Sequence, residues 1–243
     1  AAFKHAVIDL SSQFLAYSFD QIAVGTNSLE MDVMRTKDGQ EFEIVTTFSL
    51  RINQIVVCHD PTLDRLCGVH RYIWEYDYAD IPPFQTQVPL HFAINQTYDS
   101  TKEAEHDRRM PLLRVITTMI FVDQLLCILG VFEAFPYAIL NIEIKTPTSE
   151  AIISVNLLIK EFQREHITFW GCREKKATEQ LLRINPNALT FFSMGRVMIT
   201  YLAYFLGFLP FIPIRENSMQ VPMLTRELEE MARHEAKFAA KLM

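Results

Sequence analysis

The four cysteines, Cys58, Cys67, Cys127 and Cys172, form no CxxC pair and no finger-like Cys/His spacing. That removes the usual basis for a structural zinc site or a disulfide framework and leaves buried free thiols. There is no long Lys/Arg run, and the formal net charge is -6. A chain whose main partner is nucleic acid needs a basic footprint, so that class is set aside. The opening "AAFKHAV" has no charged-then-apolar leader and no initiator Met, so no signal peptide is expected and the chain reads as a fragment. Internal repeats and low-complexity tracts are also lacking. A single sequon, Asn95-Gln96-Thr97, matters only if it faces an oxidising lumen. What is plentiful is apolar side chain: 49% of 243 residues, enough for one large α/β barrel domain or two small domains.

Periodicity predicts short strands at residues 28–33, 55–59, 140–145, 167–170 and 188–192. Helices are predicted at 150–166, where Ile152, Val155, Leu158, Ile159 and Phe162 form a stripe, at 174–184, ending before Asn185-Pro186, and at 225–242. Strands alternating with helices imply a mostly parallel sheet, open or closed into a barrel.

Two stretches break the alternation. Residues 197–214, "VMITYLAYFLGFLPFIPI", carry no charge and are flanked by Arg196 and Arg215. Three readings are open: a membrane span, a buried core helix, or a helix ending near Leu209 with an apolar loop at the membrane surface. Gly207, Pro210 and Pro213 favour the last. Residues 115–132 are apolar apart from Asp123 and Gln124, and read as a core helix or a second membrane-leaning one.

In "LEMDV", Leu29, Met31 and Val33 alternate with Glu30 and Asp32, so both carboxylates share one strand face. "LNIEIK" repeats the logic, with Asn141, Glu143 and Lys145 opposite Leu140, Ile142 and Ile144. On exposed faces these are ordinary solvated charges. If both strands belong to a parallel barrel, however, their inward faces meet near its C-terminal mouth, where barrel enzymes hold their active sites. Three confined carboxylates must protonate or find a cation, and a divalent ion bound by Glu30, Asp32 and Glu143 resolves the conflict. Oxygen ligands suit Mg²⁺ or Ca²⁺ better than zinc. In "VVCHDPTLDRLCG" a strand ends in His59-Asp60. His59 reads either as a structural or capping histidine or as a proton-transfer group, and Lys145 either as a surface lysine or as a group neutralising charge on a phosphate.

These blocks carry a resemblance. "GTNSLEMDVMRTKDGQ", "IVVCHDPTLDRLCGV" and "NIEIKTP", in that order, resemble the glycerophosphodiester phosphodiesterase family. "VFEAFPYAILNIEIK", "EHITFWG", "FFSMGRV" and "LGFLPFIPIRE" resemble its membrane-associated lysophospholipase D branch. The resemblance implies a TIM-type barrel with one divalent metal, its ligands falling on Glu30, Asp32 and Glu143. His59 takes the place of one of two catalytic histidines, and Lys145 that of the active-site lysine. In the family scheme a glycerol hydroxyl attacks phosphorus and water opens the cyclic phosphate. Lysophospholipids are the branch's substrates and a free head group is released. The apolar segment 197–214 would dock the barrel against a membrane, at an endomembrane or cytoplasmic face.

Against the family pattern, the chain begins in what resembles the first helix, beyond the strand bearing the other histidine, and the last two strands have no counterpart. The expectation is a single incomplete barrel over residues 1–243, with insertions at 11–23, 41–54 and 115–130. Loss of a histidine leaves a second reading open, a catalytically inactive membrane-associated or regulatory protein on the same fold.

Overall fold

The computed structural model describes residues 5–7, 28–40, 55–89, 97–99 and 127–221. In chain order the elements are β1 (His5–Val7), β2 (Ser28–Arg35), β3 (Ile55–Val57), α1 (Asp64–Cys67), β4 (Gln87–Pro89), β5 (Thr97–Asp99), α2 (Ile128–Ala134), β6 (Ile139–Ile144), α3 (Ser149–Glu161), β7 (Thr168–Gly171), α4 (Lys175–Ile184), β8 (Leu189–Thr190) and α5 (Met194–Phe205). The predicted segments 11–23, 41–54 and 225–242, and residues 115–126 of the third proposed insertion, lie outside the described residues. The remainder of that insertion, 127–130, is built into the fold: Cys127 bridges Val56 antiparallel and α2 starts at the next residue.

Five strands run parallel in the order β1-β2-β6-β7-β8. The parallel sheet expected from the alternation is therefore present, with one correction. β3 is antiparallel to β2, in the register Arg35↔Ile55 and Val33↔Val57. The two strands pair over three residues, the C-terminal end of β2 against β3. β4 and β5 form a separate antiparallel pair.

A second correction concerns the opening residues. Expected to resemble a helix, His5–Val7 instead lie parallel beside the first half of β2, His5 opposite Ser28. Pairing there engages backbone groups of β2 that a bare edge would leave open. On the other side, the chain beyond α5 returns along β8: Phe191 and Ser218 form a parallel bridge, and the Asn217 amide donates to the Thr190 carbonyl at 2.7 Å.

The alternation decides which face is buried. Leu29, Met31 and Val33 of β2, Leu140, Ile142 and Ile144 of β6, and Trp170 of β7 are almost fully buried, in one core with Ile128, Val131 and Phe132 of α2 and the α3 stripe. A smaller core on β3 gathers Met34, Val56, Cys58, Leu63, Leu66 and Ile73. Helix α3 starts where the Thr148 side chain accepts from the Ala151 amide at 3.2 Å, the N-cap that satisfies one of the first-turn donors. Its Ile152, Val155, Leu158 and Ile159 are wholly buried, each worth about 1.5–3 kcal/mol of transfer free energy. The helix stops at Glu161 because Gln163 turns left-handed at φ 53°. That turn buries Arg164, whose guanidinium donates to the Phe135 carbonyl at 2.7 Å and to that of Ala138, closing the turn that enters β6. Burial lowers Arg164 to about 10.

All four cysteines are free thiols, and burial raises Cys67, Cys127 and Cys172 to about 11. Those three raised thiols are poor nucleophiles at neutral pH.

Helix α5 corrects the expected end near Leu209. It is capped by Ser193, ends at Phe205 and is closed by Gly207 at φ +75°. The Gly207 amide donates to Tyr204 and the Phe208 amide to Ala203, the paired bonds of a Schellman turn, for which glycine's left-handed freedom is required. Twelve residues span about 18 Å, well short of a ~30 Å hydrocarbon core. Among the described residues no helix is long and apolar enough to cross a membrane, so the span reading falls for this segment. The core-helix reading falls too, because α5 buries only Val197, Thr200 and Ala203. Met198, Leu202, Tyr204, Phe205, Phe208 and Phe211 stay open, Phe205 at 79% and Phe211 at 80% exposure.

Candidate active site

Each buried apolar side chain on β2 and β6 sends its neighbour to the opposite face. Parallel pairing then sets Asp32 directly opposite Glu143, and Glu30 opposite Asn141 one step back on the same face. Lys145, the next residue on that face of the chain, bridges the two acids: its Nζ lies 2.9 Å from Glu143 Oε2 and 3.3 Å from Asp32 Oδ1. The structure thus brings Asp32, Glu143 and Lys145 into contact, and places Glu30 on the same face.

The antiparallel course of β3 brings in the histidine. Moving forward along β3 is moving backward along β2, and the Cys58 amide donates to the Asp32 carbonyl at 2.9 Å. His59 follows, with Nε2 3.9 Å from Asp32 Oδ2. On its other side Nδ1 lies 2.9 Å from Asp60 Oδ1. Asp60 also accepts from Arg65 Nε, so its carboxylate holds the ring and the α1 arginine together.

Charge and burial decide the ionisation. For Asp32, burial raises the pKa and Glu143 adds to the rise, against the opposing pull of Lys145 and His59; the net result is a pKa of about 7. Burial also pushes Asp60 upward, but the His59 bond and the Arg65 charge outweigh it and hold Asp60 down at about 2. Lys145 loses hydration on burial, yet Asp32 and Glu143 more than compensate and raise it above the ordinary lysine value. Two adjacent carboxylates served by one lysine, with a third carboxylate on the same face, form a site that gains from a further cation.

Asp32, Glu143 and Glu30 offer oxygen alone on one strand-pair face, the donor chemistry that hard divalent cations take. Among the described residues no group of three or more His, Cys, Asp or Glu side chains is gathered closely enough to enclose a metal, and Lys145 spans the two nearest acids.

Three members of the site escaped sequence reasoning. Arg65 sits five residues beyond Asp60 on α1, and the only signal for it was its place in the "HDPTLDRLCG" stretch. Gln220 donates from Nε2 to Asn141 Oδ1 at 2.8 Å across 79 positions of chain, a contact with no local signature. Gly171 pairs with Glu143 in the next strand, and a Cβ there would meet the Phe191 ring at 2.5 Å. The aromatic ring therefore packs against the backbone beside the acid pair.

The chain resembles proteins of known class. The model of the glycerophosphoryl diester phosphodiesterase family matches residues 17–207. Lysophospholipase D GDPD1 of Rattus norvegicus is 31% identical over 223 residues, covering 92% of this chain and 55% of the relative. Lysophospholipase D GDPD3 of Homo sapiens is 26% identical over 198 residues, covering 82% and 52%. The chain spans about half the length of these curated relatives. Among solved structures, an Oleispira antarctica phosphodiesterase in complex with the product sn-glycerol-3-phosphate superposes with a TM-score of 0.55 at 14% identity, covering 97% of this chain and 90% of that one. At that identity the likeness shows the fold alone, and the sheet with its flanking helices is of that type. The family match and the rat relative carry the rest: the chain belongs to the glycerophosphoryl diester phosphodiesterase family.

Proposed function

We propose that the chain carries the site of a divalent-metal phosphodiesterase acting on glycerophosphodiesters or lysophospholipids, releasing the head group. The observation that supports this most directly is the convergence of Asp32, Glu143, Lys145 and His59 from three strand regions onto one sheet face. Asp32, Glu143 and Glu30 would hold the metal, Mg²⁺ or Ca²⁺, which when bound supplies positive charge to a phosphate oxygen. Lys145 adds a fixed cation beside it and offsets charge gathering on phosphorus-bound oxygen. Asp60, ionised at any physiological pH, accepts from His59 Nδ1 and leaves Nε2 on the side facing Asp32, the nitrogen placed to take or give a proton.

The exposed apolar band of α5 and the turn after it belongs to the same proposal. Covering Phe205, Phe208 and Phe211 alone is worth roughly 5 kcal/mol, and a lipid surface would cover them while presenting a lysolipid to the enzyme. The lysophospholipase D relatives support lysolipid as substrate. Domain limits of 1–243, as one barrel-type domain, are part of the same reading.

The complete protein, given a lysophospholipid and Mg²⁺ or Ca²⁺, is expected to release free head group. Glu143→Ala and Glu30→Ala are each expected to abolish metal-stimulated turnover with little change in melting temperature. Head-group release that persists unchanged in a chelator, or in both variants, would overturn the assignment.

A further inference from the structure

Between α4 and the start of α5, on the flank of the sheet's helical layer, lies a cleft of about 390 Å³ separate from the acid-lysine site. Its lining includes four cations, Lys175, Arg183, Arg196 and Arg215, against two carboxylates, Glu179 and Glu216. The floor is a closed pair: Arg196 Nε donates to Glu216 Oε1 at 2.8 Å, with Glu216 only 5% exposed, and the same guanidinium donates to the Pro213 carbonyl. The rim is positive. Lys175 and Arg183 share one carboxylate, Glu179, at 3.9 and 3.8 Å, beyond hydrogen-bond length, and Arg215 is exposed with no carboxylate paired to its guanidinium among the described residues.

This cleft is continuous with the apolar band. The chain runs from Phe211 through Ile214, both exposed, straight into Arg215 at the rim. Apolar insertion with adjacent basic groups is the combination that holds a protein on an anionic leaflet, since either signal alone is weak. The chain as a whole is acidic, with a net charge of -6. A diffuse field would therefore repel an anionic membrane, and any preference for one has to come from a local site.

We propose that the Lys175–Arg183–Arg215 rim binds the phosphate of an anionic phospholipid in the leaflet into which Phe205, Phe208 and Phe211 insert. The proposal rests on the reading of α5 as membrane-facing. It makes the cleft a docking site for a lipid that is not the substrate, which selects the charge of the surface the enzyme works on.

The test is vesicle cosedimentation of the full chain, using phosphatidylcholine vesicles and phosphatidylcholine vesicles containing phosphatidylserine. Wild type is expected to bind the anionic vesicles about tenfold or more tightly than the neutral ones, from roughly fivefold per basic residue near the surface. The triple variant Lys175→Gln, Arg183→Gln, Arg215→Gln, which removes the whole rim, is expected to lose that preference to within about twofold while binding neutral vesicles as wild type does. The exposed pair Arg71→Gln, Lys160→Gln, outside the cleft, is expected to leave the preference intact. Wild type that binds both vesicles equally overturns the head-group site and leaves the membrane reading standing. So does equal loss in the cleft and control variants, which would make the effect one of total charge. Wild type that binds neither vesicle overturns the membrane reading itself. A dimer broken by Phe205→Ser, with no vesicle binding, would give the apolar face to a second copy and overturn both.

Discussion

Two regions of this molecule reverse the ordinary arrangement of polar outside and apolar inside, and they do so in opposite senses. On the β2–β6 face, Asp32, Glu143 and Lys145 are largely withdrawn from water and compensate one another. On α5, aromatic and aliphatic side chains stand in water with only every third residue packed against the body. The first inversion is paid for internally, through ion pairs and a proton affinity on Asp32 raised to about 7. The second has no internal compensation among the described residues. The acids and lysine of the first region compensate one another within the chain, whereas nothing among the described residues covers the apolar face of the second.

The comparison is broken most sharply at His59. His59→Ala is expected to lower turnover of the complete protein about 10²- to 10⁴-fold while the thermal midpoint stays close to wild type. A matching loss of stability would show that the histidine is structural.

Arg164 tests whether burial of charge matters only at the site. It is 2% exposed and feeds two carbonyls before β6, so Arg164→Ala is expected to destabilise by about 3 kcal/mol, measured by denaturant unfolding. A change under about 1 kcal/mol would mean that solvent replaces its bonds without difficulty.

Asp60 gives the pH dependence. Its folded value of about 2 lies below the ordinary 3.8, so its ionised form stabilises the fold above pH 3.8, and that contribution is lost as pH falls toward 2. The amount is at most about 2 kcal/mol. Comparing melting temperature against pH for wild type and Asp60→Asn should show a steeper acid loss in wild type across that window; parallel curves would dismiss the carboxylate's role.

The smallest effect on stability is expected where the apolar inversion is largest. Phe205→Ser with Phe211→Ser should shift unfolding by no more than about 0.5 kcal/mol, yet abolish binding to neutral vesicles. A large destabilisation would show that the rings pack against protein, and the contrast between the regions would dissolve.

Periodicity was enough to mark β2, β3, β6, β7 and β8 and the acid faces of β2 and β6, because a strand has a period of two whatever it pairs with, but it left β1, β4 and β5 unmarked. It was enough too for α3, whose stripe and Thr148 cap are local. The family resemblance likewise rested on contiguous blocks. The antiparallel turn of β3, the registration of Asp32 on Glu143, the reach of Gln220 to Asn141 and the early closure of α5 at Gly207 were decided in three dimensions. Register depends on which backbone groups meet, and a contact across 79 positions leaves no periodic trace in the chain. Sequence determined which residues carry charge and which face each would take; tertiary pairing alone decided which charges stand close enough to act on one another, since Coulomb energy depends on distance in space and on the burial that packing creates.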